Sequence, residues 1–144
     1  MDIRPARTDA EIDACWPVMV QLRPQAARDE FVAQVRRQEA TGYRLACLVA
    51  DGAVCAVAGF RIDEMFHRGR HLYIDDLVTD EAGRSRGYGG ALFDWCVALA
   101  EREGCASLHL DSGVQRFDAH RFYLRKGMRI SSHHFALDRP ARRR

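Results

Sequence analysis

The sequence has no apolar run long enough to cross a bilayer, and its mixed composition excludes several classes of protein. A spanning helix needs about 20 consecutive apolar residues, whereas charged residues make up 29% of this 144-residue chain. No cleavable signal is recognised at the start, because Asp2-Ile3-Arg4 is polar at once. The net charge of +2 is too small to indicate a nucleic-acid partner. We therefore expect a cytoplasmic protein whose partners include neither a membrane nor a nucleic acid.

Cysteine is present, but without the spacing of a disulfide or metal framework. The five cysteines are odd in number and include no CxxC pair. Most lie inside apolar runs, where a reduced thiol acts as a small hydrophobe. His133 and His134 are adjacent, and neighbours on a strand point to opposite faces. We therefore expect no metal site.

No internal repeat, linker or low-complexity segment divides the chain. Its length is usual for one domain, and 47% hydrophobic residues are enough to build a core. We expect a single domain over residues 1–144. Residues 139–144 form a basic tail, which we interpret as a short solvated segment.

Two helices are expected in the first part of the chain. Thr8 and Glu11 have capping-box spacing and open the first helix, whose apolar residues recur at helical intervals. Pro17 predicts a kink or a split in this helix. A second helix is expected within residues 24–40 and ends at Gly42.

The middle of the chain predicts an antiparallel meander. Asp51-Gly52 lies between two apolar runs and is the strongest hairpin signal in the sequence. We expect strands over residues 43–50 and 53–65. A turn at residues 66–70 then leads into a third strand that begins at Leu72.

The rest of the chain alternates strand, helix and strand. The helix ends at Gly104 and the next strand covers residues 105–111, a spacing that indicates a parallel pair with a right-handed crossover. A final helix is expected over residues 117–125, and residues 128–137 supply one more strand or a short broken hairpin. The predicted fold class is α/β. It has a mixed, mostly antiparallel sheet with a splayed central parallel pair and helices on both faces, and splayed strands leave a crevice for a ligand.

A segment rich in glycine and arginine joins the central strand to the helix after it. It consists of Arg84, Ser85, Arg86, Gly87, Tyr88, Gly89 and Gly90. Glycine lets a ligand approach the backbone, and successive N–H groups at a helix N-terminus bind an anion. We name these residues the Arg-Gly loop and predict that it holds a pyrophosphate without a Walker lysine. The alternative is that its arginines are surface charges over a turn.

This loop carries a family resemblance. Arg84-x-x-Gly87-x-Gly89 matches the Arg/Gln-x-x-Gly-x-Gly/Ala signature of the GCN5-related N-acetyltransferases (GNAT), in which the loop holds the pyrophosphate of acetyl-CoA. Residues 73–78, Tyr-Ile-Asp-Asp-Leu-Val, resemble the bulged strand before that loop, particularly in polyamine acetyltransferases. Residues 116–125 resemble the closing helix of the aminoalkylphosphonate acetyltransferases.

The resemblance covers about residues 3–138. It implies the GNAT fold, acetyl-CoA as the acetyl donor and N-acetyltransferase activity on a primary amine of a small molecule by direct attack. Members of the family are often dimeric through their late strands, so a homodimer is expected here. The alternative function is a non-catalytic acyl-CoA-binding sensor or regulatory module. The presence of Tyr123 argues against a sensor, because binding alone needs no proton donor.

Tyr123 matches the family tyrosine that acts as general acid. A phenol with a pKa of about 10 can protonate a departing thiolate of similar basicity. Ala119, Phe122 and Gly127 match the pattern around it. The alternative is a tyrosine packed in an aromatic pair with Phe122.

Asp75 is the candidate base, acting directly or through a water. The resemblance aligns it with the first acid of the Tyr-Leu-Glu-Asp segment of polyamine acetyltransferases. Only one of two adjacent strand carboxylates faces a cleft unless a bulge intervenes. Asp76 and Glu64 are the other candidates, and solvated charges or pairs with nearby arginines are the structural alternative.

Backbone groups of the central strand complete the predicted donor site. Leu77, Val78 and Thr79 offer a strand edge to the amides of the pantetheine arm, and an N–H near Leu77 would polarise the thioester carbonyl. An ordinary sheet ladder is the alternative. Arg116 stands seven residues before Tyr123, where the family often has asparagine. We expect Arg116 either to reach a phosphate or to be a solvated charge.

The sequence leaves the acceptor open among a polyamine, an aminophosphonate or other acidic amine, an aminoglycoside and a peptide N-terminus. Acidic residues that suit a polyamine are Asp63, Glu64, Asp75 and Asp76. Basic residues that suit an anionic amine are Arg68, Arg70 and Arg116. Histidines that could neighbour a substrate, or else be satisfied or surface histidines, are His120, His133 and His134.

Overall fold

The computed structural model describes residues 1–139, and a five-stranded sheet organises these residues. The strands are β1 (Asp2–Pro5), β2 (Arg44–Ala50), β3 (Ala53–Met65), β4 (Gly69–Thr79) and β5 (Ser107–Leu110). The helices are α1 (Asp9–Leu22), α2 (Arg28–Glu39), α3 (Tyr88–Arg102) and α4 (Phe117–Arg125), with a 3₁₀ turn at Glu81–Gly83. Contacts divide the chain into two compact units. The first is Met1–Leu110, and the second begins at Asp111.

The sheet has the order β1-β2-β3-β4-β5, and its first four strands are antiparallel neighbours. The β2–β3 hairpin turns at Asp51 (φ +52°) and Gly52 (φ +76°), the two positive values that its tight turn requires. Strand β5 pairs with β4 in parallel, after the crossover through α3. The predicted fold class, a mixed and mostly antiparallel sheet with one parallel pair, is confirmed.

Helices cover both faces of the sheet within Met1–Leu110. Apolar side chains of α1 and α2 pack on one face in a buried cluster that includes Ile12, Phe31, Cys47, Val57 and Val78. Helix α3 covers the other face, where the ring of Trp95 meets that of Phe60 edge-on at 6.1 Å between centroids. Alternate residues of each strand therefore serve opposite cores, as strand geometry dictates.

The predicted capping box opens α1. Glu11 N–H donates to the Thr8 hydroxyl, and Thr8 N–H donates to the Glu11 carboxylate at 2.9 Å. Of the kink or split predicted at Pro17, the split is wrong, because α1 continues through it to Leu22, and the kink stays a prediction. Proline removes one N–H from the helical ladder, whereas the buried residues on both sides of it hold the helix against the sheet.

The strand or hairpin predicted for residues 128–137 is also wrong, since the described residues 128–139 contain no assigned strand. The polar run 131–134 interrupts the apolar pattern there. Ile130, Phe135 and Leu137 are exposed. Of the predicted basic tail, residues 140–144 lie outside the described residues.

Three of the five cysteines, Cys15, Cys47 and Cys96, are buried. Burial raises the pKa of the Cys96 thiol to about 12, which keeps it protonated and poorly reactive. Among residues 1–139, no helix has the length and apolar character needed to cross a membrane.

Candidate functional site

A β-bulge at Asp75 sets the geometry of the site. Phe60 of β3 pairs with Ile74 and Gly59 pairs with Asp76, so Asp75 is an extra residue on β4. Successive side chains of a regular strand point to opposite faces, and an extra residue resets that alternation. Asp75 and Asp76 therefore both face the α1–α2 side of the sheet, where both line one cavity.

This cavity, of about 410 Å³, is lined by residues of α1, α2 and β4 and by residues of the segments just after α1 and just before β2. We name it the α1–α2 cavity. Its apolar wall comes from Met19, Ala26, Phe31 and Val35. Its polar wall comes from Arg23, Gln25, Gln34, Gln38, Tyr43, Tyr73, Asp75 and Asp76. A cavity with apolar side chains of α1 and α2 on one side and two carboxylates of β4 on the other suits a small polar molecule.

Asp75 has one oxygen bound and one open. Its Oδ2 accepts a hydrogen bond from Arg61 Nε at 2.9 Å, while its Oδ1 is buried and has no hydrogen-bond partner among residues 1–139. Burial raises the pKa of Asp75, and the Arg61 guanidinium acts in the opposite direction. A buried open oxygen is costly unless a ligand or water satisfies it. Asp75 is thus a more basic carboxylate than usual, with a free acceptor.

Asp76 is occupied on both oxygens. Oδ1 accepts from Arg23 Nε and Oδ2 accepts from the Tyr43 hydroxyl, each at 2.8 Å. Burial, together with the charge of Asp76, raises the pKa of Tyr43 well above its ordinary value, so Tyr43 remains a donor. Glu64, the third candidate base, is exposed and does not line the cavity. The geometry therefore favours Asp75 over both alternatives.

Gly59 makes this contact between Tyr43 and Asp76 possible. A Cβ built at Gly59 would overlap the Tyr43 hydroxyl and lie 2.7 Å from Asp76 Oδ2. Sequence reasoning missed this residue. The available signal was a glycine inside a predicted strand, which often marks a bulge or a close approach.

Arg23 is a second residue whose role was missed. It caps the C-terminus of α1 and donates through Nη2 to the backbone carbonyl of Asp75 at 2.8 Å, besides its bond to Asp76. Arg61 was missed too, and its guanidinium lies 5.4 Å from the centre of the Tyr43 ring. Two arginines from separate elements thus fix the two carboxylates.

The arginines named from sequence as partners for an anionic acceptor do not line this cavity. Arg70 donates to the Glu103 carbonyl at 2.7 Å, and Arg68 lies over the Tyr73 ring at 5.9 Å from its centre. Asp63 and Glu64, named for a polyamine, do not line it either. The charged side chains that line the cavity are Arg23, Asp75 and Asp76.

The edge of β4 becomes free beyond the bulge. Parallel pairing with β5 ends at Ile74 and Leu110. Leu77, Val78 and Thr79 then pair with β3 alone among the strands of Met1–Leu110. Within this unit the edge of β4 opposite β3 therefore has no strand partner at these three residues, and its binding role stays a prediction.

The Arg-Gly loop follows this edge and leads into α3. Gly87 (φ +79°) is the N-cap of α3 and has no side chain to accept a hydrogen bond. The N–H groups of Tyr88, Gly89 and Gly90, in the first turn, have no intrahelical acceptor either. Ser85 also has a positive φ of +75°. A Cβ at Gly89 would lie 2.7 Å from Thr79 Oγ1, so the helix start requires glycine to approach β4.

Arg84 and Arg86, in the same loop, are exposed. Across residues 1–139, neither forms a salt bridge. The loop side chains therefore leave a helix N-terminus open, flanked by two unpaired cations. This arrangement suits a phosphate group.

The second unit carries Tyr123 and Arg116. Tyr123 is half-buried on α4, and burial raises its pKa while the Arg116 charge lowers it. Its ring lies edge-on to that of Phe122 at 5.3 Å, so the aromatic pair proposed as the structural alternative does exist. Arg116 is the N-cap residue of α4 and is exposed.

The histidines of this unit have local explanations. His120 Nε2 lies 2.7 Å from the Gly113 carbonyl, and His134 Nδ1 lies 3.4 Å from Asp111 Oδ1. His133 is exposed. These placements fit the interpretation as satisfied or surface histidines. Among residues 1–139, no group of three or more His, Cys, Asp or Glu is arranged to hold a metal ion.

Comparison with known protein families agrees with the acetyltransferase fold expected from the sequence. The model of the acetyltransferase (GNAT) family matches residues 8–128, and the chain belongs to this family. It is an acyltransferase. The family uses acetyl-CoA as its acetyl donor.

Two relatives and one solved structure show the extent of the similarity. The chain is 36% identical over 122 residues to the uncharacterized N-acetyltransferase YhdJ of Bacillus subtilis, covering 83% of this chain and 86% of that one. It is 30% identical over 122 residues to the aminoalkylphosphonate N-acetyltransferase of Salmonella typhimurium, covering 84% and 77%. The structure of AAC(6')-Iy with a CoA-containing bisubstrate analog superimposes with a TM-score of 0.82 at 16% identity, covering 97% and 98%, and shares the fold.

Gly59→Ala should destabilise the protein, because the new methyl group displaces the Tyr43 hydroxyl from Asp76. Overpacking of this kind costs about 1–3 kcal/mol, measurable by urea unfolding. Gly83→Ala is the control, since its Cβ would lie 3.3 Å from the flexible Tyr88 ring, where a small adjustment suffices. Equal stability of Gly59→Ala and the natural protein would contradict the account of the contact.

Proposed function

We propose that this protein transfers an acetyl group from acetyl-CoA to a primary amine of a small molecule, with Asp75 as the base and Tyr123 as the acid. The observation that carries the proposal is the bulge, which places the Asp75 carboxylate in the lining of the α1–α2 cavity, with one oxygen that has no hydrogen-bond partner among residues 1–139. The Arg-Gly loop follows the same strand. One strand thus carries the candidate groups for both the acceptor and the donor.

The donor lies along β4 and the Arg-Gly loop in this proposal. The free N–H groups of Tyr88, Gly89 and Gly90 hold the pyrophosphate, and Arg84 and Arg86 neutralise it. Ser85 and Gly87 shape the loop through their positive φ values. The structure of AAC(6')-Iy with a CoA-containing analog, which shares this fold, supports the choice of donor. It does not bear on the acceptor of this protein.

The pantetheine arm pairs with the open edge at Leu77, Val78 and Thr79, as an added strand does. An N–H near Leu77 polarises the thioester carbonyl. Arg116 takes a phosphate contact in place of the asparagine common in the family. The pairing of Leu77, Val78 and Thr79 with β3, and with no other strand of Met1–Leu110, supports this part of the proposal.

The reaction needs no protein nucleophile, because sulfur already activates the acetyl carbon. The amine nitrogen forms a bond to that carbon while the carbon–sulfur bond breaks. Asp75 Oδ1 accepts the proton that the nitrogen loses, directly or through a water, and Tyr123 donates a proton to the departing sulfur. A raised pKa suits both groups, since it makes Asp75 a better base and keeps Tyr123 protonated.

The names of the curated relatives support an amine acceptor of small size, since one acts on aminoalkylphosphonates. The α1–α2 cavity, of about 410 Å³, has room for such a molecule. The cytoplasmic location, the single domain and the homodimer stay predictions.

Tyr123→Phe should lower kcat by about 10²–10⁴-fold, the usual contribution of a general acid. Affinity for CoA, measured by calorimetry, should change little. Phe122→Leu is the matched control, because it removes the aromatic pair and keeps the phenol. If Phe122→Leu loses as much turnover as Tyr123→Phe, packing rather than proton donation explains the tyrosine.

The double variant Arg84→Gln/Arg86→Gln should weaken CoA binding about 10- to 100-fold. A hydrogen bond to a charged group contributes about 1.5–3 kcal/mol, and the exposure of both arginines to solvent reduces that contribution. The KM for the amine should change little. Arg37→Gln, an exposed arginine on α2, controls for loss of charge. Calorimetric titration with CoA decides the matter, and unchanged affinity would rule out phosphate contact by the loop arginines.

Arg61→Gln should raise the pKa of Asp75, because it removes the cation that opposes the effect of burial. The acid limb of the pH profile of kcat/KM should therefore move to higher pH, and an NMR titration of the Asp75 carboxyl carbon should move in the same direction. Arg61→Lys keeps the charge and should show a smaller displacement. A midpoint that stays in place or falls would show that Arg61 does not set the basicity of Asp75.

A further inference from the structure

The two carboxylates of the α1–α2 cavity are each paired with an arginine, Arg23 in the cavity lining and Arg61 outside it. Asp75 is paired with Arg61 at 2.9 Å and Asp76 with Arg23 at 2.8 Å. Tyr43 supplies a further hydrogen bond to Asp76. The four charges cancel, so the field in the cavity does not favour a ligand of high positive charge.

Two charged groups on the cavity wall keep open hydrogen-bonding capacity. The first is the Asp75 carboxylate, which lines the cavity with a side chain that is 22% exposed and whose Oδ1 has no hydrogen-bond partner among residues 1–139. The second is the Arg23 guanidinium, which has five N–H donors, of which Nε and one Nη2 hydrogen serve Asp76 and the Asp75 carbonyl. Its side chain is 42% exposed and lines the cavity. The wall therefore presents one anionic acceptor and one cationic donor.

These two groups are neighbours, since Arg23 is hydrogen-bonded to the backbone of the same residue that holds the open carboxylate oxygen. The two hydrogen bonds also fix the guanidinium in place before any ligand arrives. A ligand that engages both groups must carry an amine and an anion a few bonds apart. Preorganised guanidinium groups bind carboxylates and phosphates in a bidentate manner.

We infer that the acceptor is a short amine that also carries one anionic group, a carboxylate, phosphonate or phosphate, with its nitrogen at Asp75 and its anion at Arg23. This inference rests on the proposed function, because it assigns the acceptor to the α1–α2 cavity. Gln25, Gln34 and Gln38 add neutral hydrogen-bonding groups that tolerate either end of such a molecule.

The same arrangement disfavours a polyamine. A second ammonium group would meet Arg23 instead of a free carboxylate, because Asp76 has both oxygens engaged and Asp63 and Glu64 lie outside the cavity. Like charges at close range repel, most strongly where solvent is partly excluded. Specificity would thus come from repulsion of the dication as well as attraction of the zwitterion.

Four amines of similar length test the inference: aminoethylphosphonate, β-alanine, ethanolamine and ethylenediamine, each with acetyl-CoA and detection of the released thiol. The two anionic amines should have kcat/KM values at least about 10-fold above that of ethanolamine, because one hydrogen bond to a charged group contributes about a factor of ten. Ethylenediamine should have the lowest kcat/KM of the four. Comparison of the phosphonate with the carboxylate then distinguishes the two sources of the anion.

Variants of the protein locate the preference. Arg23→Gln should raise KM for the preferred anionic amine about 10- to 100-fold and reduce its advantage over ethanolamine to near unity. Arg23→Lys should retain part of that advantage, as a point charge without the planar fork. Tyr43→Phe takes one hydrogen bond from Asp76 but keeps the cation, so the ratio between anionic and neutral amines should persist in it.

Each outcome is decisive. Turnover with ethylenediamine or ethanolamine equal to or above that of the anionic amines would overturn the inference and leave the proposed function standing. An anionic preference that survives Arg23→Gln would overturn the role of Arg23. Absence of turnover with all four amines would also overturn the inference, and a calorimetric titration with CoA would then show whether the proposed function fails with it.

Discussion

One extra residue in a strand controls the candidate site. Without the bulge, Asp75 and Asp76 would point to opposite faces of β4, and the one on the α3 side would be buried against an apolar core. With it, both carboxylates face the α1–α2 cavity, where Arg23 and Arg61 compensate them. The bulge also lies where β5 pairing stops, so the open strand edge begins beside it. The groups proposed here for acceptor and donor binding are therefore placed by the same irregularity.

The two carboxylates are chemically unequal despite being adjacent. Asp76 accepts from Tyr43 and Arg23 and so fastens the C-cap of α1 and the residue before β2 to the central strand. Asp75 accepts one hydrogen bond, and its other oxygen is buried without a partner among residues 1–139. An unsatisfied buried oxygen costs free energy, and it is able to accept a further hydrogen bond or a proton. Hydrogen-bond partners rather than residue type thus distinguish Asp76, with its structural contacts, from Asp75, the residue proposed as the base.

Local signals in the sequence predicted most of the fold and one part of the site. Asp51-Gly52 indicated the hairpin and Thr8 with Glu11 indicated the start of α1, because each depends on residues a few positions apart. Arg23 could not be assigned, since its partners lie more than fifty positions away and meet it only after α1 packs on the sheet. Gly59 likewise acquires its meaning from Tyr43, across the sheet. Proximity of that kind is a product of the fold.

The central claim is that the open oxygen of Asp75 receives the amine. A crystal structure of the protein with CoA and an unreactive or slow amine acceptor tests it most directly. The account predicts the amine nitrogen within about 2.6–3.2 Å of Asp75 Oδ1, or joined to it through one water, with Arg61 still bound to Oδ2. An amine bound outside the α1–α2 cavity, or an Asp75 whose two oxygens both turn to arginine, would contradict it.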